Sequence, residues 1–282
     1  MSLFEKEIAA IVNLALLEDR VSEDVTGQAC IERDRRAQAE IYAKEALIYC
    51  GSPVIDPVLH LSGATIAYEV IAHEGEPYAV GDTLVKLAGN ALDLLRVERV
   101  LLNFMQRLSG IATTTRSFAM EASPLKVYDT RKTTPGWRAL EKYAVVKGGG
   151  TNHRMNLSDL ILVKNNHIDA NEGDIRLTLM RVFERKDAAM RVEVEVRNAE
   201  ELACALEFPV DIIMLDNMRG EALMEAVKII RMQPKSILIE ASGNIDLQSL
   251  AEMKQAGVDA VSTSKITAGA FPVDIAMAIS YQ

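Results

Sequence analysis

The stretch "DIIMLDNMRGEALMEAVKIIRMQPKSILIEASGN", Asp211–Asn244, predicts the fold of the second half of this chain. It holds two short apolar runs, "DIIML" and "SILIE", separated by the helix-compatible segment "RGEALMEAVKIIRM". A strand, a helix and a second strand in this order form a βαβ unit, whose two strands run parallel. The stretch therefore predicts an α/β fold built on a parallel sheet.

The same alternation extends in both directions from this stretch. Upstream lie the strand-like runs "KVY", "DLILVK" and "RVEVEV", and downstream lies "VDAVS". With the first two runs they make six strands, fewer than the eight of a regular barrel. The pattern is therefore compatible with an incomplete α/β barrel and also with an open doubly wound sheet.

Polar side chains mark the point where each predicted strand ends. They are Asp129–Lys132, Lys164–Asn166, Glu193 with Glu195, Asp216–Asn217, Glu240–Gly243 and Ser262–Ser264. In parallel α/β folds the carboxyl ends of the strands line the ligand crevice, so these positions predict an active site. Glu193 and Glu195 alternate with valines and share one strand face, where a carboxylate is costly unless it is paired or bound to a metal.

A basic segment, "DTRKTTPGWRALEKYAVVKGGGTNHR" (Asp129–Arg154), lies within an acidic chain whose formal net charge is −9. Residues 129–164 hold seven Lys or Arg and three Asp or Glu, a local charge of +4. The overall acidity argues against nucleic-acid or membrane-surface binding, whereas the local charge indicates a small anionic ligand. Arginine forks suit carboxylates, and the "ASGN" turn, before a helix that we expect to begin near Asp246, suits phosphate.

Two of the strand-end acids, Glu195 and Asp216, are candidates for a metal site. They could hold Mg²⁺ directly or through water, or bind sugar hydroxyls beside a metal that the substrate phosphates hold. Together with the cations, they predict a substrate rich in carboxylate and phosphate.

The first hundred residues predict a mixed α and β domain. A helix is expected at about 3–17, another after Pro53, and strands over "AQAEIYA", "EALIYCG", "ATIAYEVIA" and "DTLVKLAG". From Ala91 to Leu108 the pattern is helical. It carries an apolar stripe (Val97, Leu101, Phe104, Leu108) and a polar stripe (Arg96, Arg99, Asn103, Gln106).

Length and composition exclude several classes of protein. The chain has 282 residues, enough for one large or two moderate domains, and its three cysteines show no paired or metal-type spacing, which favours the cytoplasm. The apolar run Ile8–Leu17 is too short to cross a bilayer. The sequence has no GxGxxG, P-loop or GxSxG motif, and its four histidines lack zinc spacing.

The long basic segment, together with "ERVLLNFMQRLSGIAT", "LILVKNNHI", "VEVEV", "IMLDNM" and "IEASGNI", closely resembles the quinolinate phosphoribosyltransferase family. The resemblance implies an N-terminal α/β sandwich domain over 1–111 and an incomplete, six- or seven-stranded parallel barrel over 112–270. Residues 271–282 are expected to pack back on the first domain. It also implies a homodimer with shared sites and the decarboxylating transfer of phosphoribosyl from phosphoribosyl pyrophosphate to quinolinate, with Mg²⁺ and no organic cofactor.

The resemblance also implies the roles of particular residues. The quinolinate-binding cations match Arg131, His153, Arg154 and Lys164, with Arg99 reaching in from the partner subunit. Lys132 and Thr133 match residues near the pyrophosphate and the reactive centre, and Glu195 and Asp216 match the acids that face the ribose and the metal. Ser242, Gly243 and Asn244 match the turn for the ribose 5′-phosphate, and Ser264 stands where a glycine is usual.

Departures from the family pattern leave other interpretations to consider. Asn244 stands where the family usually has a second glycine, a change that a positive φ at this position would allow. "KITAGAF" replaces the sequence that the family usually has near the last strand. Other candidates are a related phosphoribosyltransferase-like protein of the molybdate-uptake type, a nicotinate-specific transferase, or a catalytically silent dicarboxylate- or nucleotide-binding protein. The complete set of cations favours the quinolinate phosphoribosyltransferase interpretation over these alternatives, as do Lys132, Glu195 and Asp216.

Overall fold

A computed structural model describes residues 2–281, which divide into two compact units. The first unit contains the residues up to Arg116, the segment Thr133–Gly149 and the residues from Ile266 onwards. The second contains Ser117–Lys132 and Gly150–Lys265. The units therefore interleave along the chain. The resemblance implied a boundary at residue 111 and a return of residues 271–282 to the first domain, but not the inclusion of Thr133–Gly149 in the first unit.

The N-terminal part of the chain alternates short strands with helices and ends in one long helix. Its elements are α1 (Leu3–Glu18), a 3₁₀ turn (Val21–Glu23), α2 (Val25–Cys30), β1 (Arg36–Ala43), β2 (Leu47–Ile48), α3 (Ser52–Leu61), β3 (Ile66–Val70), β4 (Pro77–Tyr78), β5 (Thr83–Asn90) and α4 (Ala91–Ala122). All four residues of the predicted apolar stripe on α4 are buried. The helix runs well past Leu108, although Gly110 and three threonines weaken the helical signal of the sequence.

The first unit contains a four-stranded sheet in the order β12-β1-β5-β3. Its edge strand β12 (Ile275–Tyr281) comes from the end of the chain and pairs antiparallel with β1 along Ala37–Ala43. Alternate residues of β1 are buried, as expected for a sheet with one face in a core. Gly110 is needed in this unit because a Cβ there would lie 2.1 Å from the main-chain oxygen of Phe271.

The C-terminal part of the chain follows the predicted strand–helix alternation. Its further elements are β6 (Lys126–Tyr128), α5 (Arg138–Lys147), β7 (Ile161–Val163), α6 (Asn165–Asp169), α7 (Ile175–Arg185), β8 (Val192–Val196), α8 (Ala199–Ala205), β9 (Ile212–Asp216), α9 (Gly220–Arg231), β10 (Leu238–Ser242), α10 (Leu250–Ala256) and β11 (Ala260–Ser262). All six predicted strand runs form strands.

The six strands of the second unit form one parallel sheet in the order β6-β11-β10-β9-β8-β7. From β7 to β11 the order is sequential, and the first strand, β6, lies beside the last, β11. A doubly wound sheet would reverse its order at a central strand, so this order identifies an α/β barrel that is open between β6 and β7. The predicted incomplete barrel is confirmed. Within residues 2–281, no helix is both long and apolar enough to cross a membrane.

Strand register assigns the side chains of this sheet to two faces. Parallel pairs such as Glu195 with Met214, and Met214 with Glu240, lie on the same face. With the period of two along each strand, that face carries Leu162, Glu193, Glu195, Met214, Asp216, Glu240 and Ser242. We call it the polar face. The opposite face carries the apolar residues of the runs, such as Val194 and Ile213.

Candidate active site

The candidate residues of the second unit lie at or just beyond the carboxyl ends of its strands. They are Arg131, Lys132, His153, Arg154, Lys164, Glu195, Asp216, Ser242, Gly243, Asn244 and Ser264. His153 and Arg154 follow Thr151, which forms a parallel bridge with Tyr128 at the end of β6. The fold therefore brings the strand-end residues to one edge of the sheet, as predicted.

Arg131 and Arg154, both at this edge, lie within electrostatic range of each other. Burial lowers the pKa of Arg154, and the positive charge of Arg131 lowers it further. Both side chains are half-buried. Like charges held together repel each other until an anion binds between them, so this part of the site suits a carboxylate or a phosphate.

Lys164 and Glu195 form an ion pair at this edge, with 2.5 Å between Nζ and Oε2. The Glu195 side chain is 7% exposed, whereas that of Lys164 is 42% exposed. The lysine thus neutralises a nearly buried carboxylate from the solvent side. An anion could reach Lys164 from the solvent. If Lys164 bound that anion, the negative charge of Glu195 would be less compensated.

Asn217, a predicted strand-end position without an individual role, links two candidate residues. Its side-chain Nδ2 donates a hydrogen bond to Asp216 Oδ2 at 2.9 Å. A Cβ on Gly243, whose φ is +90°, would lie 2.2 Å from Asn217 Oδ1. Asn217 itself has a φ of +55°. Its only signal in the sequence is its position directly after a strand-end aspartate, in a residue type that tolerates positive φ.

The turn after β10 differs from its prediction in one respect. Asn244 has a φ of +49°, the condition under which it could replace a glycine. The helix expected near Asp246 begins instead at Leu250, because Asp246 and Ser249 form a side-chain-capped turn in which Ser249 N donates to Asp246 Oδ1 at 2.9 Å. The expectation of a helix start near Asp246 is therefore wrong, and any phosphate binding here falls to the main-chain N–H groups and hydroxyl of the turn itself.

His153 is the centre of a buried cluster beneath this edge. Its Nε2 lies 3.0 Å from Glu193 Oε2 and 3.4 Å from Glu240 Oε2, and both carboxylates are fully buried. The three ligand atoms lie within 4.8 Å of one another, a grouping that could also hold a metal ion. An inward carboxylate on this strand was expected to be paired or bound to a metal, and His153 is the partner of Glu193. We call these three residues the buried triad.

Two influences compete for the proton on the His153 ring. Burial lowers its pKa, but hydrogen bonding to Glu193 and Glu240 raises it more, to about 10. The main-chain N–H of Arg154, however, donates to Nδ1 at 2.8 Å, which requires a lone pair on that nitrogen. Because two N–H groups cannot face each other at that distance, the contact decides for a neutral ring with its hydrogen on Nε2. If the cluster holds one more proton, that proton lies on a carboxylate and not on the ring. Glu193 is suited to hold it, because burial raises the pKa of its carboxyl group.

Arg99 and Thr133 belong to the first unit. The Arg99 side chain is 61% exposed, and its partner there is Glu98 at 3.8 Å. Arg96, on the same stripe of α4, is 23% exposed and bound to Asp93 at 2.9 Å. Thr133 Oγ1 accepts a hydrogen bond from Arg138 Nε at 3.1 Å. Of the two arginines, Arg99 is thus the one whose side chain is available to another molecule.

The segment after Thr133 is anchored by a buried acid, Glu141. Its carboxylate is fully buried and accepts hydrogen bonds from Thr134 Oγ1 and from Arg107 Nη2, each at 2.8 Å. Arg107 also donates to the main-chain oxygen of Thr267 at 2.8 Å. Trp137 stacks on Phe104 with 4.6 Å between ring centroids. These contacts fix the loop that follows Lys132 in the sequence.

Comparison with known proteins agrees with these features. The family models for the N-terminal and C-terminal domains of quinolinate phosphoribosyl transferase match residues 24–109 and 111–278. A probable nicotinate-nucleotide pyrophosphorylase [carboxylating] of Synechocystis is 42% identical, with 81% of this chain and 78% of that protein covered. The corresponding Bacillus subtilis protein is 37% identical, with 97% and 94% covered.

Solved structures resemble the whole chain. NadC from Streptococcus pyogenes is 36% identical, with a TM-score of 0.92 over 100% of this chain and 99% of that one. The nicotinate-nucleotide pyrophosphorylase from Francisella tularensis is 34% identical, with a TM-score of 0.89 over 98% and 97%. Human nicotinic acid phosphoribosyltransferase, at 12% identity and a TM-score of 0.63, shares the fold alone.

Proposed function

Because the chain belongs to the quinolinate phosphoribosyltransferase family, we propose that it converts quinolinate and phosphoribosyl pyrophosphate into nicotinate mononucleotide, CO₂ and pyrophosphate. This is a step of NAD biosynthesis. The observation that carries the proposal is the meeting of Arg131, Arg154 and Lys164 with Glu195 and Asp216 at one edge of the parallel sheet. The cations suit a dicarboxylate, and the acids suit a developing positive charge.

Binding of quinolinate is the task of the cations. The substrate carries two carboxylates on neighbouring ring carbons, and each must exchange water for fixed positive charge when it enters the site. Arg131 and Arg154 offer planar forks, and Lys164 offers a point charge. When Lys164 turns to the substrate, Glu195 loses its 2.5 Å partner and becomes available to the cationic centre that the reaction creates.

The transfer step forms a bond between the quinolinate nitrogen and the anomeric carbon of the ribose. The bond from that carbon to the pyrophosphate oxygen breaks, and its electron pair leaves with pyrophosphate. Positive charge develops on the sugar, where the carboxylates of Glu195 and Asp216 stabilise it. Lys132 and Thr133 assist the departing pyrophosphate, and the turn Ser242–Asn244 holds the 5′-phosphate, with Ser264 at the neighbouring strand end.

Loss of CO₂ follows from the charge on the ring. The alkylated nitrogen is a pyridinium, which accepts the electron pair of the breaking carbon–carboxylate bond. A proton then takes the place of the carboxylate. This scheme needs no organic cofactor, and the protein contributes mainly fixed charge and position.

Mg²⁺ fits the acids of the site. Glu195 and Asp216 present carboxylate oxygens at the ends of adjacent strands, and oxygen is the ligand that Mg²⁺ prefers. Asp216 is held by Asn217 and partly exposed, which leaves room for water in the ion's shell. When bound, Mg²⁺ would neutralise the pyrophosphate oxygens. Glu195 and Asp216 would hold it directly or through water.

The proposal includes a cytoplasmic homodimer in which the partner subunit's Arg99 completes each site. The exposed Arg99 side chain supports this, since its partner within the described residues is an adjacent glutamate. No role with nucleic acid or membranes is proposed, because the net charge is −9.

Product analysis tests the proposed function. Purified protein is incubated with phosphoribosyl pyrophosphate, Mg²⁺ and either quinolinate or nicotinate, and CO₂ and nicotinate mononucleotide are measured. We expect both products from quinolinate alone, and their loss in Lys132→Ala. Lys228→Ala, a change at a 69% exposed lysine, should leave turnover intact. Turnover of nicotinate but not quinolinate would reassign the enzyme, and binding without turnover would indicate a silent binder.

A further inference from the structure

The loop between β9 and α9 is tied to the turn that follows β10. The main-chain N–H of Asn217 donates to the main-chain oxygen of Ser242 at 3.0 Å, and its side chain lies against Gly243. Arg219, two residues further along, reaches the same turn, where its Nη2 donates to the main-chain oxygen of Gly243 at 2.7 Å. The first loop therefore influences the shape of the second.

Arg219 is itself held in place by its surroundings. Its Nη1 lies 3.5 Å from the main-chain oxygen of Met218 and 3.7 Å from the sulfur of Met253, on α10. The N–H of the next residue, Gly220, donates to Glu252 Oε1 at 2.6 Å, which ties the start of α9 to the same helix. The Arg219 side chain is half-buried. Its guanidinium is therefore a preorganised donor, in contrast to a mobile surface cation.

The contact at the Gly243 oxygen sets the direction of the N–H that follows it. In a trans peptide the C=O and the N–H of the next residue point in opposite directions. Because Arg219 binds the oxygen, the N–H of Asn244 is directed away from Arg219. Asn244 is exposed, and within residues 2–281 its N–H donates to no other residue. This N–H is therefore available to a ligand.

The direction of this peptide is not the one that Asn244 prefers. Gly243 has a φ of +90° and Asn244 a φ of +49°, so two successive residues are left-handed. Glycine adopts such a φ freely, whereas asparagine does so at a cost. Rotation of the peptide by half a turn would give Asn244 a negative φ, but would direct its N–H at the guanidinium. Arg219 thus opposes the rotation that the asparagine favours.

The neighbouring peptides of the turn are fixed by other residues. The oxygen of Ser242 is held by Asn217, and the main-chain oxygen of Ile245 accepts a hydrogen bond from Thr263 Oγ1 at 3.0 Å. Thr263 is buried and comes from the loop after β11. The peptide that follows Gly243 is therefore the part of the turn whose direction depends on Arg219.

From these contacts we propose that Arg219 is a positioning residue, which sets the Gly243–Asn244 peptide so that the Asn244 N–H donates to the 5′-phosphate of phosphoribosyl pyrophosphate. A charged donor on the carbonyl also polarises the peptide, which makes the N–H a stronger donor. The proposal rests on the proposed function and deepens it, because it identifies what holds the turn in a phosphate-binding shape. The sequence argument had given Arg219 no role.

The first test observes the Asn244 N–H directly in the wild-type protein. Glycine is labelled with ¹³C at the carbonyl and asparagine with ¹⁵N, which selects the amides of Gly–Asn pairs. The chain has two such pairs, Gly89–Asn90 and Gly243–Asn244. We expect added ribose 5-phosphate to shift the NMR signal of Asn244 and to leave that of Asn90, in β5, unchanged. An Asn244 signal that does not move would overturn the proposal.

The second test removes the donor. Arg219→Met keeps the length of the side chain, and we expect the KM for phosphoribosyl pyrophosphate to rise by about tenfold or more. The inhibition constant of ribose 5-phosphate should rise by the same factor, whereas that of pyrophosphate should not, because only the 5′-phosphate meets the turn. The ligand-free Asn244 signal should broaden through exchange between two peptide directions. An unchanged KM, or an equal loss of affinity for both inhibitors, would contradict a positioning role.

Arg231→Met is the matched control for this change. Arg231 lies at the other end of α9, and its Nη2 likewise donates to a glycine oxygen, that of Gly257, at 3.0 Å. Loss of this contact should lower the urea midpoint without changing the KM or either inhibition constant. If both variants raised the KM equally, the effect would be general damage and the proposal would fail.

A second substitution tests the argument from φ. Arg219→Met combined with Asn244→Gly should have a lower KM for phosphoribosyl pyrophosphate than Arg219→Met alone, because glycine adopts the positive φ without cost. A KM that is no lower would count against the proposal. Should the wild type form no nicotinate mononucleotide from quinolinate, the proposed function fails instead. The response of the Asn244 signal to ribose 5-phosphate, in the wild type and in Arg219→Met, then still decides whether Arg219 positions the turn.

Discussion

At the scale of single residues, Gly243 shows how closely the proposed phosphate turn and the strand-end acid Asp216 are joined. Its φ of +90° disfavours any side chain, and a Cβ would also collide with Asn217, which holds Asp216. We expect Gly243→Ala to introduce about 1–3 kcal/mol of backbone strain and to displace Asn217 as well. The predicted result is a rise of about tenfold or more in the KM for phosphoribosyl pyrophosphate, measured by steady-state kinetics.

Gly81 provides the matched control for this change. It has nearly the same φ, +91°, but a Cβ there would meet nothing within 4 Å. Gly81→Ala should therefore lower the denaturation midpoint through backbone strain alone and leave the KM values as they are. Equal kinetic effects of the two changes would contradict the role given to Asn217.

Asp216 supports a second prediction at this scale. EDTA should stop turnover, and Asp216→Asn should raise the Mg²⁺ concentration needed for half-maximal rate by about tenfold or more, since one charged oxygen ligand is lost. The measurement is a titration of rate against Mg²⁺. Asp169→Asn, a change at a 57% exposed aspartate, serves as the control and should not shift the curve.

Residue types were predictable from the sequence to a larger extent than residue partners. The alternation of Glu193 and Glu195 with valine already indicated an inward carboxylate that is either paired or bound to a metal. The partner is His153, a residue 40 positions earlier in the chain, and only folding brings the two together. The link of Asn217 to Gly243 was missed for the same reason, because it depends on two left-handed backbone positions in different loops.

At the scale of elements, hydrophobic pattern was the stronger guide. All six strands of the parallel sheet lie in predicted runs, and in five of them, β6 excepted, successive residues on both faces are buried. Helix ends were predicted less well. The end of α4 and the start of α10 were misplaced, because tertiary contacts at Gly110 and a side-chain turn at Asp246 override the local signals.

The anchor around Glu141 supports a prediction for the loop that follows Lys132. Glu141→Gln leaves Arg107, 17% exposed, without its ion-pair partner. Breaking a buried pair on one side should cost about 3 kcal/mol of unfolding free energy, measured by urea denaturation. Hydrogen exchange should rise in residues 133–137. Glu225→Gln, at a 61% exposed glutamate, should change neither quantity.

At the scale of the whole molecule, the proposed homodimer with shared sites leads to a mixing experiment. Arg99→Ala and Lys132→Ala should each be nearly inactive alone. Random reassociation of the two variants makes about half of the dimers hybrids, and in each hybrid one of the two sites keeps both residues. The mixture should therefore recover about a quarter of wild-type activity. Activity is measured after mixing and refolding equal amounts. A mixture no more active than its parts would show that Arg99 acts within its own chain or not at all.

The pairing of β12 with β1 has a consequence for the order in which the protein is made. The parallel sheet has all its strands once residue 262 has been synthesised, whereas the sheet that begins at Arg36 still lacks its edge strand until residue 281. Domains usually fold in the order of their synthesis. Here the sheet whose first strand is synthesised earlier is completed later, and β1 offers an unpaired edge to nascent neighbours until β12 has been made.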